Sequence, residues 1–222
     1  MSRSCLVFDF DGTILDTEES QYRAWAELWV DHGEELSITE WQENIGSDDS
    51  FDPWSELELR IGRRLDPGLN DLRRARRDEI QAQYEPRVGI ENWLVQADVL
   101  GLPVGIASSS PAHWVEGHLL RIGLRDRFSC VVCRGSDIPA KPSPISYLTA
   151  CEQLGADPLQ SVAVEDSPHG IAAAAGAGLF VVATPHPLTQ DLDLSGADMV
   201  AASLDDVSLS DALATALVRG HR

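Results

Sequence analysis

The pattern of apolar and polar positions changes character along the chain. Cys5-Leu6-Val7-Phe8 is an unbroken apolar run that stops at Asp9-Phe10-Asp11-Gly12-Thr13. A short run of strand formers closed by acids and glycine predicts a buried strand that carries two carboxylates to its C-terminal tip. Beyond it the period becomes helical over Thr17–His32, with Tyr22, Trp25, Ala26, Trp29 and Val30 assigned to the apolar face and Gly33 as the stop. Shorter helices are expected at Ile38–Ile45 and Pro53–Ile61, and a charged one at Pro67–Tyr84. No strand is expected between Thr17 and Arg87.

From Gly89 onward strands and helices alternate. Helices are expected at Gly89–Leu100, Pro111–Ile122, Ser143–Leu154, Pro168–Ala177 and Ser210–Arg219, the second opened by Ser110 as N-cap and Pro111 at the first position. Strands are expected at Pro103–Ala107, Phe128–Cys133, Ser161–Glu165, Leu179–Ala183 and Met199–Val200. Such alternation implies an α/β fold, a doubly wound parallel sheet with helices on both faces. The expected organisation is a core from residues 1–16 and 88–222, interrupted by a helical insertion at 17–87.

Charge narrows the function classes. A formal net charge of -19 argues against a nucleic-acid surface, and an acidic protein that handles an anion must concentrate its few cations or borrow a metal. No signal peptide is visible and no apolar stretch approaches membrane length, so a cytoplasmic protein without a membrane partner is expected, a monomer or at most a dimer. Cys5, Cys130, Cys133 and Cys151 are too scattered for a disulfide scaffold. Cys130 and Cys133 have redox spacing, but a strand sends their sulfurs to opposite faces, which favours core packing. Of 17 basic residues Lys141 is the only lysine, standing in Pro139-Ala140-Lys141-Pro142-Ser143-Pro144. That singularity suggests work for a compact ammonium that a planar guanidinium would do badly.

Four polar clusters fall at expected strand ends: Asp9/Asp11, Ser108, Lys141 and Glu165-Asp166. Each alone fits a turn or a cap, and a calcium loop at the first is disfavoured because Ile14-Leu15 resumes the apolar run. In a parallel sheet, however, such ends converge on one rim and can meet around one ligand.

In order along the chain, Asp9-Phe10-Asp11-Gly12-Thr13, Ser108 in Ile-Ala-Ser-Ser-Ser, Lys141 in Ala-Lys-Pro-Ser-Pro and Glu165-Asp166-Ser167 resemble the four motifs of the haloacid dehalogenase superfamily. The helical insertion resembles the small α-helical cap of its beta-phosphoglucomutase-like subgroup. The resemblance implies a Rossmann-like core and phosphoryl transfer to a small phosphorylated metabolite. It implies Asp9 as nucleophile, Asp11 as general acid and base, and Lys141 as the cation between Asp9 and phosphate. Ser108, with Ser109, Gly12 and Lys141, would bind phosphoryl oxygens, and Mg²⁺ would be held by Asp9, Asp166 and the Asp11 carbonyl, with Glu165 joining directly or through water. Asp11 sets the chain apart from true dehalogenases, which lack an acid there because halide leaves unprotonated.

Within the subgroup a hydrolase is expected rather than a mutase. Gln21, the acidic loop Ser47-Asp48-Asp49-Ser50, and Pro111-Ala112 after Ser110 all depart from the mutase pattern. The alternatives are a phosphosugar mutase and a non-catalytic phosphate sensor. Seven arginines of the insertion, Arg60, Arg63, Arg64, Arg73, Arg74, Arg76 and Arg77, are expected on a solvated face beside acids such as Asp71, Asp78 and Glu79. His113, His118 and His169 are expected on helix surfaces or in cap contacts, and Trp25, Trp29, Trp41 and Trp54 mostly in packing, with room for one to line the substrate cleft.

Overall fold

The computed structural model of the chain describes residues 3–42 and 51–220. The end of the helix expected at Ile38–Ile45 and the loop Ser47–Ser50 lie outside the described residues. The chain divides into two compact units, Met1–Leu15 with Glu85–Arg222, and Asp16–Tyr84. Glu85, Pro86 and Arg87, expected in the insertion, fall in the larger unit. The Arg87 guanidinium explains this, because it donates to the backbone carbonyls of Gly12, Thr184 and Pro185.

The larger unit is built on six parallel strands: β1 (Leu6–Phe8), β2 (Val104–Pro111), β3 (Cys130–Arg134), β4 (Val162–Glu165), β5 (Phe180–Ala183) and β6 (Met199–Val200). Their order is β3-β2-β1-β4-β5-β6. β1 is central, with Val7 opposite Gly105 on one side and Ala163 on the other. Every residue of β1 is buried, which is why its sequence is continuously apolar rather than alternating. Cys5 and Val7 join a core with Tyr147, Ala150, Cys151, Ile171 and Ala174. Leu6, Phe8 and Ile106 point the other way and are equally buried, so both faces are covered.

The smaller unit consists of α1 (Thr17–Val30), α2 (Ile38–Gln42), α3 (Pro53–Ile61) and α4 (Gly68–Gln81). The buried residues of α1 are Thr17, Ser20, Ala24, Leu28 and Trp29; of the expected face Trp29 is among them, Tyr22, Trp25 and Ala26 are half-buried, and Val30 is exposed. The aromatic rings find other partners: Tyr22 and Trp25 flank the buried stripe, Tyr22 beside Trp41 and Trp25 under the Arg73 guanidinium at 4.3 Å. Arg60, Arg64, Arg76 and Arg77 pair with acids of the same unit, Asp78 and Glu79 among them. The remaining helices are α5 (Ile90–Leu100), α6 (Ala112–Arg121), α7 (Ile145–Leu154), α8 (Pro168–Gly176) and α9 (Leu209–Gly220). No helix among the described residues is long and apolar enough to cross a membrane.

Ser110 does not cap α6. The strand β2 runs on through Pro111 beside Arg134, the N-cap position is Pro111 itself, and no side chain caps the helix. The Ser110 hydroxyl is committed elsewhere, to Asp11.

Candidate active site

Parallel pairing places Asp9 just past β1, Ser108 within β2, Lys141 beyond β3, and Glu165 and Asp166 at the end of β4, all on the C-terminal rim. The chain runs outward from β1 through β2 to β3 on one side and then crosses back to β4 on the other side of β1, and the crevice opens at that reversal. Asp9 is anchored there by its backbone N–H, which donates to the Val164 carbonyl at 2.9 Å.

The centre is a buried ion cluster. Lys141 Nζ donates to Asp9 Oδ1 at 2.5 Å and to Glu165 Oε1 at 2.6 Å. The Tyr147 hydroxyl, from α7, donates to the same Glu165 oxygen at 2.6 Å. The second oxygen of Glu165 accepts from the Asp166 N–H at 3.1 Å and the Ser167 hydroxyl at 3.4 Å. Both oxygens of Glu165 are therefore engaged by the protein, one by Lys141 and Tyr147 and the other by the turn after β4. Burial works against the lysine charge, but Asp9 and Glu165 outweigh it and hold the Lys141 pKa above the ordinary lysine range. Burial also raises the Asp9 carboxyl well above the usual carboxylate range, against the pull of Lys141. For Tyr147, burial and then Glu165 push the phenol well up, so it remains a donor.

Asp9, Glu165 and Asp166 are all buried and offer carboxylate oxygens within 4.8 Å of one another. One ammonium among three carboxylates leaves negative charge uncompensated, and an all-oxygen donor set of this size suits a hard divalent cation. The Thr13 hydroxyl donates to Asp166 Oδ1 at 3.3 Å. His186 Nε2 lies 3.2 Å from Asp166 Oδ2, while His186 Nδ1 accepts from the Leu188 N–H at 3.4 Å, which leaves the ring proton on the nitrogen facing Asp166.

The Asp11 side chain is not part of that acidic cluster. Its Oδ1 accepts from Trp114 Nε1 at 2.8 Å, and its Oδ2 accepts from the hydroxyls of Ser110 at 2.6 Å and Ser108 at 3.4 Å. Ser109 accepts the backbone N–H of Lys141 at 3.1 Å and so fixes the lysine's main chain. The Gly12 N–H is used within its own turn, donating to the Leu15 carbonyl at 2.8 Å. Gly12 is needed for shape as well: its φ is 81°, and a Cβ there would run into the Asp166 carboxylate and the His186 ring.

Tyr147, Trp114, Arg87 and His186 are absent from the site residues expected from sequence, and Thr13, though part of the first motif, is given no role there. His186 had a usable signal, since it follows β5 by three residues and so stands on the same rim as the four clusters. Tyr147 and Trp114 had none, being aromatic residues at helical spacing whose polar atoms find partners only through the sheet. His118, expected at a surface, is half-buried between Phe10 and Trp114. Cys5 and Cys151 are fully buried, their sulfurs 3.7 Å apart, and Cys130 is buried while Cys133 is half-buried, as alternation along β3 requires.

A model of the haloacid dehalogenase-like hydrolase family matches residues 4–178. The candidate phosphatase YhcW of Bacillus subtilis is 38% identical over 206 residues, 92% of this chain and 94% of its own. Hexitol phosphatase B of Escherichia coli is 30% identical over 215 residues, 93% of this chain and 95% of its own. A variant of CbbY from Rhodobacter sphaeroides, crystallised in complex with xylulose-(1,5)-bisphosphate, superimposes with a TM-score of 0.73 at 25% identity, covering 96% of this chain and 99% of that one.

Proposed function

The chain belongs to the haloacid dehalogenase-like hydrolases and is a phosphatase, and on that premise we propose that it hydrolyses a small sugar or polyol phosphate through an aspartyl-phosphate on Asp9. The observation that carries this reading is the buried contact of the only lysine with Asp9 and Glu165, beside Asp166. A carboxylate nucleophile divides one hard displacement into two easier ones. Its approach to an anionic phosphate is repulsive, and Lys141, already against Asp9 Oδ1, lowers that repulsion and offers a donor to a phosphoryl oxygen.

Asp11 protonates the departing alkoxide and later takes a proton from the attacking water. Ser108 is assigned a hydrogen bond to the phosphoryl group, whereas Ser109 and Gly12 shape the pocket by holding Lys141 and the turn after Asp9. Asp9, Asp166 and the Asp11 carbonyl are the residues assigned to Mg²⁺, with Glu165 acting on that site through Lys141 and the Asp166 backbone. When bound, such an ion supplies charge neutralisation and polarisation of a phosphoryl oxygen. The Asp16–Tyr84 unit, a cap in this reading, is assigned the choice of substrate. Hexitol phosphatase B and the CbbY complex with a ketopentose bisphosphate support the substrate class.

The test is phosphate release across a panel of hexitol, hexose and pentulose phosphates. At least one should turn over, with activity lost in chelator and restored by Mg²⁺, and Asp9→Asn should be inactive. Turnover by Asp9→Asn at the wild-type rate, with deamidation excluded by mass spectrometry, would overturn the assignment.

A further inference from the structure

We propose that Trp114 and Ser110 are positioning residues for proton transfer, clamping the Asp11 carboxylate from both oxygens, with the longer Ser108 contact of 3.4 Å beside Ser110 on Oδ2. The proposal rests on the reading of Asp11 as acid and base. Trp114 Nε1 donates to Oδ1 at 2.8 Å and the Ser110 hydroxyl to Oδ2 at 2.6 Å. The terminal torsion of an aspartate is soft, and a carboxylate held at one oxygen turns easily about it. Held at both, Asp11 cannot rotate without breaking a bond. The continuation of β2 through Pro111 is what brings Ser110 to this position, and α6 begins so that Trp114 lies in its first turn.

The clamp is braced from behind. The Trp114 ring packs edge-on against His118, one helical turn later, with ring centroids 4.5 Å apart. His118 lies 6.1 Å from the ring of Phe10, the residue before Asp11, and Phe10 is fully buried. Asp11, Trp114, His118 and Phe10 thus close a ring of contacts within the larger unit. Indole is a donor only, so Trp114 neither takes nor relays a proton, and its influence on the chemistry passes entirely through the direction of Asp11. In the first step the bond from phosphorus to the alcohol oxygen breaks as the bond to Asp9 forms, and the Asp11 proton goes to the leaving alkoxide. In the second, water gives its proton to Asp11 as it attacks phosphorus and Asp9 departs.

Leaving groups separate positioning from mere structure. A nitrophenolate leaves without protonation, whereas an alkoxide needs the acid, and kcat/KM reports this first transfer for both. Trp114→Phe keeps the ring against His118 and removes the N–H. It should lower kcat/KM about tenfold or more on a primary alkyl phosphate, a fraction of what general acid catalysis supplies. On 4-nitrophenyl phosphate the loss should stay below about twofold, since no proton is required. Ser110→Ala should show the same selectivity more weakly, and decides the matter if Trp114→Phe fails to fold. Equal losses on the two substrates, or a gain on the alkyl phosphate, would overturn the clamp. Asp11→Asn tests the underlying reading separately: it should lose far more on the alkyl than on the aryl substrate, and equal losses there would remove Asp11 from the acid role whatever Trp114 does.

Discussion

Lys141 shows why one residue resisted the arginine bias of the chain. Its ammonium is buried and touches Asp9, Glu165 and, at 3.4 Å, the Tyr147 hydroxyl, a convergence on one point rather than the planar fork a guanidinium offers. Lys141→Met should therefore destabilise the protein by about 3–5 kcal/mol, because Asp9 and Glu165 are left buried and unpaired. Urea unfolding measures this, and adding Glu165→Gln should recover part of the loss; a single variant as stable as wild type would contradict the account. Gly170 guards the same cluster. A Cβ there would overlap the Glu165 carboxyl, so Gly170→Ala, which in an ordinary helix gains about 1 kcal/mol, should destabilise instead. The acids and the lysine were legible in the sequence because each closes or follows a strand run, which fixes its rim. Tyr147 and Trp114 were not, since nothing in a helical period marks which polar atom will meet a partner on another element, Glu165 for the one and Asp11 for the other.

Among the elements, legibility followed local chemistry. α3 was expected with the bounds it has, because its ends are written beside it: Asp52 accepts from the N–H groups of Trp54 and Ser55, Pro53 opens the helix, and Gly62 closes it at φ 67°. Asp52→Ala should lower stability by about 1 kcal/mol in a denaturant titration, the usual worth of such a cap. The start of α6 was misplaced because Ser-Pro satisfies the same rule, while the tertiary demand of Asp11 captured the serine. Glu40 of α2 is another junction that only the fold reveals. It accepts from the Ser37 hydroxyl and N–H and pairs with Arg60 of α3, which holds its carboxyl down to about 2 from 4.5. A depressed folded-state value favours the native state above the unfolded pKa, so this contribution is complete above pH 4.5 and is lost as pH falls through about 2. Glu40→Gln should accordingly melt below wild type at pH 6, with the gap closing under acid; a gap independent of pH would show that charge plays no part.

At the scale of the whole molecule, 36 acids against 17 basic residues leave a net charge of -19, and three of those acids converge in one buried site. Dispersed surface repulsion and that concentrated cluster respond to cations differently. Any salt screens the first, over a Debye length of about 10 Å at 0.1 M, and so raises the melting temperature whatever the cation. Only an ion that binds the folded state selectively relieves the second, by about 2.7 kcal/mol at a hundred times its dissociation constant. MgCl₂ should therefore raise the melting temperature beyond NaCl at matched ionic strength. Asp166→Asn removes one charge of the cluster and should abolish that excess while keeping the NaCl increment, since the rest of the acidic surface is unchanged. Equal shifts from the two salts in the wild-type protein would mean that the cluster does not select a divalent ion and that its charge is balanced through Lys141 and protonation of Asp9 alone.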